Sequence, residues 1–397
     1  MPLSNSSQAH TLCLAMIVRD EENNLREWLP EAANHVHEIV AVDTGSKDGT
    51  VAFLKSVGAK VYHQEWAEDF SLHRNYGLSN ATADWVLILD ADERLKRVHW
   101  FTLSSLLKNE DVMAYSFTVK NYHSTRDLSN YDTMKSYRLF RNHHDIKYTG
   151  AVHNQLAPGI QKACRQTGMI TQHSYITIEH YGYALSGKAK EKKHERIYKM
   201  VKKQLEEKPE DEYYLFHKLS ICLAMGKFSE ARKAAAELEI DRLRPELRIQ
   251  AYYKAAQVEM HFNMYQHARA YIRHALLIAP DASFLHYLLS NILYQMQRYS
   301  AGLRSAYRAL DYARIKSNAT TLIHLPLDEC LCNVGLGYLL SMNYEQADEY
   351  FKQALAHNSE NVLSPKYREW IRDKVEPSEL TSQNKQPSDS TAITYPS

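Results

Sequence analysis

Three acidic residues follow a strongly apolar run near residue 90. Residues 85–95 read WVLILDADERL, so that Asp90, Asp92 and Glu93 come directly after five apolar residues. The apolar run predicts a buried strand with the acids at its carboxyl end. Two carboxylates separated by one residue can offer oxygen atoms to a hard cation such as Mg²⁺ or Mn²⁺, which keeps other positions for phosphate oxygens. Taken alone, the pattern also fits acids that face water at a strand end.

Two earlier strands also end in polar residues. The run EIVAVD, residues 38–43, ends in Asp43 and leads into the turn TGSKDGT, while MIVRDEENNL places Arg19 to Glu22 after the first strand. The carboxyl ends of parallel strands share one edge of a sheet, where α/β proteins bind their ligands. A carboxylate at the position of Asp43 can accept a hydrogen bond from a nucleobase imide or a ribose hydroxyl. Asp48 and Thr50 in the same turn also fit ordinary helix caps.

The spacing of the strands predicts an α/β, Rossmann-like sheet in the first half of the chain. β-Branched runs alternate with amphipathic stretches up to about residue 185, which is typical of parallel strands covered by helices on both faces. Three later runs follow one another without clear helices and predict antiparallel strands at one edge. The parallel strands are expected at 11–18, 38–43, 59–63 and 84–90, and the later ones at 114–122, 135–141 and 175–183.

The second half of the chain has helical periodicity and an internal repeat. Four segments share an aromatic residue followed three positions later by a small one. The successive aromatics are 37, 34 and 45 residues apart, and 34 is the tetratricopeptide period. Small residues at fixed offsets let paired helices pack closely, so the pattern predicts four stacked helical hairpins in an all-α, TPR-like domain. The pairs are Phe228 and Ala231, Tyr265 and Ala268, Tyr299 and Gly302, and Tyr344 and Ala347.

Composition and charge set the domain boundaries and exclude several classes. We predict a flexible N-terminus at 1–10, the α/β domain at 11–187, the helical domain at 188–375 and a disordered polar tail at 376–397. A net charge of +1 gives no electrostatic argument for binding nucleic acid or a membrane surface. The polar start does not resemble a signal peptide, and no run approaches the ~18 apolar residues of a transmembrane segment. Five scattered cysteines favour reduced thiols and a cytoplasmic protein.

The motifs of the first half, in this order and spacing, resemble glycosyltransferase family 2, whose nucleotide-sugar domain has the GT-A fold. The resemblance covers roughly residues 11–185. Later segments, together with the helical repeats, resemble a bacterial branch with tetratricopeptide-like tails, which includes peptide S-glycosyltransferases; a neighbouring branch adds sugars to lipopolysaccharide cores. The front motifs are MIVRDEENNL, EIVAVDTGSKDGT, EWAEDFSLHRNYGL and WVLILDADERL, and the later ones are RLFRN (138–142), YTGAVHNQL (148–156) and HYGY (180–183).

The resemblance implies an inverting, metal-dependent transferase for a nucleoside-diphosphate sugar, with a UDP-sugar first among the donors. The acceptor would be a peptide, a protein or a cell-envelope glycan. By resemblance, Asp43 contacts the base and Arg74 the nucleotide, while Asp92 binds the Mg²⁺ or Mn²⁺ that bridges the diphosphate. The full set implied for the nucleotide sugar is Arg19, Glu21, Asp43, Ser46, Arg74 and Asp90; for the metal it is Asp90, Asp92 and His153; and for catalysis it is His153 and Asp92.

One departure from the family concerns the catalytic base. Many relatives have His-Glu where this chain has His153 and Asn154. An amide cannot take the proton of the acceptor, so the base has to be another group. The candidates in the sequence are His153, Asp132, Asp145 and Glu179, and the residues alone do not choose among them.

Other functions stay open at this point. A nucleotidyltransferase is disfavoured, because MIVRDEENN lacks the glycine-rich phosphate loop such an enzyme would have near its N-terminus. An inactive transferase domain that serves as a scaffold, working through its repeats, is the main alternative. The repeats themselves could form an acceptor-binding groove, or they could extend the core or make a homodimer.

Overall fold

The structure is a computed structural model, in which the chain forms two compact units. The first comprises Met1–Pro280 with Asn318–His324, and the second comprises Asp281–Ser317 with Leu325–Ser397. His153, the predicted tail and most of the predicted flexible N-terminus lie outside the described residues. The structure describes residues 10–122, 128, 131–152, 154–182, 187–315, 323 and 325–374.

An eight-stranded mixed sheet forms the centre of the α/β part of the first unit, with the strand order β3-β2-β1-β4-β7-β6-β8-β5. β1, β2, β3 and β4 are parallel, as predicted. The strands are β1 (Leu12–Val18), β2 (Glu38–Asp43), β3 (Lys60–His63), β4 (Trp85–Ile88), β5 (Glu93–Leu95), β6 (Val112–Tyr122), β7 (Tyr131–Arg141) and β8 (Ile170–His180). The helices between them are α1 (Glu22–Ala33), α2 (Thr50–Ser56), α3 (Phe70–Ser79), α4 (Arg97–Leu106) and α5 (Ala157–Thr167).

Both faces of the central strands are buried. Along β1, Leu12 and Leu14 belong to one apolar cluster, which includes Leu25 of α1. The alternate residue Cys13 belongs to a second cluster, which includes Ile160 of α5. Neighbouring side chains of a strand point to opposite faces, so a strand covered on both sides needs a continuous apolar run. Because both faces of these strands are buried, each strand is a continuous apolar run, and the sequence analysis could recognise it as such.

The second half of the sheet differs from the sequence prediction in two ways. α5 lies between β7 and β8, where no helix was expected, and β8 pairs parallel with β6 rather than antiparallel. α5 reads APGIQKACRQT, and its buried positions Gly159, Ile160 and Ala163 include only one large apolar residue. Pro158 and Gly159 near its start are typical turn residues, so the sequence did not predict a helix there. The prediction of consecutive antiparallel strands was therefore wrong at β8.

The remaining described residues are almost entirely helical. None of the helices in the described ranges is both long and apolar enough to cross a bilayer. The first unit continues with α6 (Gly187–Glu207), α7 (Glu212–Ala224), α8 (Phe228–Glu237), a 3₁₀ turn (Ile240–Arg242), α9 (Pro245–His261) and α10 (Tyr265–Ile278). The second unit contains α11 (Ser283–Gln295), α12 (Tyr299–Ile315), α13 (Leu327–Leu340), α14 (Tyr344–His357) and α15 (Leu363–Lys374).

The predicted helical hairpins are confirmed. The helices pack as the pairs α7 with α8, α9 with α10, α11 with α12 and α13 with α14. Each aromatic residue of the repeat is the first residue of the second helix in its pair. The small residue three positions later is buried in all four cases, as the close packing of paired helices requires.

The first helices after the sheet share an apolar cluster with the α/β part. Met200 and Val201 of α6 and Tyr214 of α7 pack with Val152, and Trp66 lies against this cluster. The cluster spans residue 187, where the sequence places a domain boundary; that boundary stays a prediction.

The glycine of the third repeat provides a test of hairpin packing. A Cβ atom at Gly302 would overlap the buried ring of Tyr294 and lie 3.2 Å from the carbonyl oxygen of Ser290. Alanine is intrinsically better than glycine in a helix by about 1 kcal/mol. We nevertheless expect Gly302→Ala to lower the free energy of unfolding by about 1–3 kcal/mol, because overpacking outweighs that gain.

Urea titration followed by circular dichroism measures this change. Ser300→Ala is the matched control, because Ser300 is an exposed position of the same helix. A Gly302→Ala variant at least as stable as wild type would contradict the packing argument.

Candidate active site

The loops after β1 and β2 are joined at the carboxyl edge of the sheet. Val18 and Asp43 are partners in the parallel register, so both loops leave the sheet side by side. The hydroxyl of Ser46 accepts the backbone N–H of Asp20 at 2.9 Å, and the carboxylate of Asp20 accepts the N–H of Lys47 at 2.6 Å. Ser46, predicted to bind the nucleotide sugar, therefore fixes the geometry of this edge.

Asp43 is buried beneath the turn that follows it. Its carboxylate accepts the backbone N–H groups of Gly45 at 3.3 Å and Ser46 at 3.1 Å, and lies 3.1 Å from Nδ1 of His63. His63, the last residue of β3, is 60% exposed beside it. No motif in the sequence pointed to His63. The contact between Asp43 and a nucleobase stays a prediction.

Arg74 and Asp90 form an ion pair at this edge. The side chain of Asp69 caps α3 by accepting the N–H of Leu72, and one turn into that helix Arg74 reaches Asp90, with Nη2 2.6 Å from Oδ1. The guanidinium also lies 5.3 Å from the ring centre of Tyr148. Burial opposes the charged form of Asp90, but the charges of Arg74 and Arg138 hold the pKa of its carboxyl below the usual value.

Glu93 differs from the other two acids because it points into the protein. It is 1% exposed, and its two oxygens accept from Arg138 of β7 at 2.6 and 2.9 Å. Glu93 also accepts the backbone N–H of Asp90 at 2.9 Å. Burial raises the pKa of Glu93, the charge of Arg138 opposes that rise, and Asp90 adds to it. Of the three acids in WVLILDADERL, Glu93 is therefore a structural anchor.

Asp92 faces a histidine from the end of β8. Nε2 of His180 is 3.4 Å from Oδ2 of Asp92, and Nδ1 of His180 is 2.7 Å from Oδ1 of Asn121. The register of β5 with β8 places Glu93 opposite His180 and brings the histidine to this site. Burial opposes its charged form, but Asp92 raises the pKa of His180. His180 belongs to the HYGY segment, to which the sequence alone assigned no chemistry.

The pair of Asp92 and His180 packs closely against the backbone of a glycine. A Cβ atom at Gly182 would overlap Oδ2 of Asp92 and lie 2.7 Å from Nε2 of His180. Glu21 lies near the same acids: burial raises the pKa of its carboxyl, the hydrogen bond from Asn24 opposes the rise, and Asp92 adds to it. Carboxylates gathered with an imidazole are a donor set that suits Mn²⁺ or another divalent ion. The chemistry of these side chains suits the cation that the sequence implied, but among the described residues their ligand atoms do not all converge within 4.8 Å.

Two arginines lie on the side of the site formed by α6. Arg19 follows β1 and is exposed. The guanidinium of Arg196 is 5.7 Å from the ring centres of both Trp66 and Phe70. Burial and the positive charge of Arg19 both lower the pKa of Arg196. Within the described ranges neither arginine forms an ion pair with a carboxylate. Both guanidinium groups can therefore bind an anion. Arg196 could not be found from the sequence, because it lies in a lysine-rich helix outside the α/β motifs.

The candidates for the base have different surroundings. Glu179 lies 3.3 Å from Nζ of Lys96, and Asp132 forms an isolated bridge with Ile323. Asp145 follows β7 at the opposite end of the strands, where it accepts from Lys162. His153 lies outside the described residues. The structure thus separates Asp145 from the acids of the site and does not choose among the others.

Comparison with known proteins concerns the same part of the chain. Residues 13–167 match the family model described as glycosyl transferase family 2. Over these residues the chain is similar to the family 2 glycosyltransferases. The match includes Asp43, Arg74, Asp90 and Asp92, and it ends before His180.

Several known proteins are similar in sequence to parts of this chain. A TPR repeat-containing protein of Synechococcus elongatus is 32% identical over 249 residues, which are 62% of this chain and 61% of that protein. The SPbeta prophage-derived glycosyltransferase SunS of Bacillus subtilis is 23% identical over 212 residues, 53% of this chain and 49% of SunS. An uncharacterized glycosyltransferase of Rickettsia conorii is 30% identical over 93 residues, 23% of this chain and 33% of that protein. The chain thus covers less than two thirds of the length of each relative.

Solved structures match only weakly. The crystal structure of MamA has a TM-score of 0.37 and 15% identity, covering 44% of this chain and 95% of MamA. YrrB, described as a TPR protein with an unusual peptide-binding site, has a TM-score of 0.38 and 13% identity, covering 46% of this chain and 86% of YrrB. The assignment of the helical hairpins therefore rests on the helix pairs described above.

The burial of the ion pair between Glu93 and Arg138 leads to a prediction about the stability of the protein. Glu93→Gln leaves the guanidinium of Arg138 without its carboxylate in a buried site, so we expect the free energy of unfolding to fall by about 3–5 kcal/mol. Urea unfolding followed by tryptophan fluorescence suits the test, because four of the five tryptophans lie before residue 281.

The control is Glu237→Gln, which removes an exposed pair with Lys233 and should cost less than about 1 kcal/mol. Equal losses in the two variants would show that the buried pair is not an anchor.

Proposed function

We propose that the chain is a metal-dependent glycosyltransferase that uses a nucleoside-diphosphate sugar, with UDP as the nucleotide, and inverts the anomeric centre. The observation that supports this most is the contact of Asp92 with His180 against Gly182, with the carboxylate of Asp90 close enough to raise the pKa of His180. Two carboxylates and an imidazole at the carboxyl edge of an α/β sheet can hold a divalent ion where such sheets bind nucleotides.

In this proposal each residue has a separate task. Asp90, Asp92 and His180 would hold the ion, and Asn121 orients His180 through its Nδ1. When bound, the ion neutralises the negative charge that grows on the departing diphosphate. Arg74 positions Asp90 through their ion pair. The acceptor attacks the anomeric carbon from the face opposite the diphosphate, and a base removes its proton.

The donor's other groups have candidate partners as well. Asp43 and His63 lie together at the end of β2 and β3, where they could bind the uracil or ribose. Arg19 and Arg196 supply positive charge for the phosphates. The second arginine belongs to α6, so the proposal makes the first helix after the α/β part a wall of the donor site.

We propose an extended peptide as the acceptor, with a cell-envelope glycan as the alternative. Stacked helical hairpins present long continuous surfaces that suit extended peptides. A homodimer and a cytoplasmic location belong to the same proposal. The second candidate function, an inactive scaffold that works through the hairpins, is favoured by Asn154, which replaces the expected acid. Catalysis by the purified chain separates the two functions.

The metal assignment predicts the behaviour of Asp92→Asn. The amide keeps the shape of the side chain but removes a charged ligand, so hydrolysis of a UDP-sugar with Mn²⁺ should fall by about 100-fold or more at an unchanged melting temperature. The assay follows release of UDP and needs no acceptor.

Asp111→Asn is the matched control, because Asp111 is exposed and precedes β6, away from the acids. Near-wild-type hydrolysis by Asp92→Asn would contradict the metal assignment. A wild-type chain that binds UDP with Mn²⁺ but neither hydrolyses nor transfers any UDP-sugar would favour the scaffold.

The assignment of Arg196 to the phosphates predicts a selective loss of affinity. A charge-assisted hydrogen bond is worth about 1.5–3 kcal/mol, so Arg196→Ala should weaken UDP binding by roughly 10- to 100-fold and leave uridine binding unchanged. Calorimetric titration in the presence of Mn²⁺ measures both ligands.

Lys199→Ala removes an exposed positive charge from the same helix and should leave both affinities as they are. Equal weakening of UDP and uridine in Arg196→Ala would mean that Arg196 only supports the rings of Trp66 and Phe70.

A further inference from the structure

A second group of possible metal ligands lies at the other end of the sheet. β7 ends at Arg141, which is paired with Trp85 at the start of β4, and His143, His144 and Asp145 follow directly. Asp90 is five residues further along from Trp85, which at ~3.3 Å per residue corresponds to roughly 17 Å. This second group is therefore separate from the candidate active site.

The three side chains converge on one point. One ring nitrogen of His143, one of His144 and a carboxylate oxygen of Asp145 all lie within 4.8 Å of one another. Oδ2 of Asp145 is 3.3 Å from Nε2 of His144 and 3.9 Å from Nδ1 of His143. The two imidazole rings stack with their centres 4.4 Å apart, so both present a nitrogen to the same oxygen.

The carboxylate of Asp145 is arranged as a metal ligand would be. Its side chain is only 8% exposed, and Oδ1 accepts from Nζ of Lys162 at 2.5 Å. Oδ2 is buried and makes no hydrogen bond of good geometry within the described residues. A ligating carboxylate commonly uses one oxygen for the metal while the other accepts a hydrogen bond from a neighbouring side chain. Lys162 would be that neighbour.

The backbone of this turn is fixed on both sides. The side-chain amide of Asn142 donates to the carbonyl oxygens of Ala81 and Ala83. On the other side α5 packs so closely that a Cβ atom at Gly159 would lie 2.6 Å from the carbonyl oxygen of Asp145. The backbone N–H of Asp145 donates to Nδ1 of His143 at 3.3 Å, and an ion bound at that nitrogen would replace this long hydrogen bond.

We propose that His143, His144 and Asp145 bind a divalent transition-metal ion of the Zn²⁺ class, independently of the glycosyl-transfer site. Imidazole nitrogens favour Zn²⁺, Ni²⁺ or Cu²⁺ over Mg²⁺, which prefers oxygen ligands. Three protein ligands leave a fourth tetrahedral position for water or another group. His144 is 81% exposed, so the ion can enter from solvent without a change in the fold.

Metal titration of the untagged full chain, stripped with a chelator, tests this proposal. Zn²⁺ is the probe, in competition with a chromophoric chelator, and the readout is the number and affinity of bound ions. Loss of a ligand should weaken this site at least as much as loss of a neighbour that orients a ligand, which typically costs 10- to 100-fold. We therefore expect His144→Ala and Asp145→Asn to lose one equivalent of bound Zn²⁺.

Two further variants and a second metal make the result specific. His357→Ala, at an exposed histidine of α14, should keep the full number of ions, and Asp92→Asn should keep the ion at His143, His144 and Asp145. Co²⁺ should give visible absorption in wild type that His144→Ala lacks. The exposed His144 keeps the test valid even where Asp145→Asn folds poorly. Equal Zn²⁺ binding by wild type and His144→Ala, or no binding by wild type, would overturn the proposal.

Discussion

The geometry of the candidate site depends on the buried ion pair of Glu93 and Arg138. A carboxylate that is 1% exposed is costly unless its charge is paired and both of its oxygens accept hydrogen bonds. Two hydrogen bonds from Arg138 and one from the backbone N–H of Asp90 satisfy them. The same contacts fix the turn in which Asp90 and Asp92 lie, so a buried charge on one side of the chain orients two accessible charges on the other.

A second ion pair is linked to that pair through the backbone of Asp90. Arg138 bonds Glu93, Glu93 bonds the backbone of Asp90, and the side chain of Asp90 bonds Arg74, which lies over the ring of Tyr148. Glu93 and Asp90 each have an arginine as partner, whereas Asp92 lies beside His180 and raises the pKa of the nearby Glu21. An electrostatic arrangement fixed before the ligand arrives needs little reorganisation when a cation or diphosphate binds.

The helices that directly follow the sheet pack against the α/β part of the first unit. The apolar cluster around Val152 joins α6 and α7 to the α/β part, and it holds Arg196 over Trp66 and Phe70. A helix anchored by its apolar face can present a cation at a constant position. The repeat pattern accounts for the packing of the hairpins, whereas the position of Arg196 results from how α6 meets the sheet.

The sequence by itself determined the parallel strands, the four hairpins and the acids at the strand ends, because these depend on local periodicity. A strand such as β1 is apolar throughout because both of its faces are buried, and the repeat glycine Gly302 marks a close helix contact. The sequence alone could not separate the roles of Asp92 and Glu93, because these two acids differ only in the partners that distant strands supply. The three-residue strand β5 pairs with β8, and this register brings His180 to a site 87 residues earlier in the chain. Only the tertiary structure decides such a pairing, since periodicity describes which face of an element is buried and contains no information about what it is buried against.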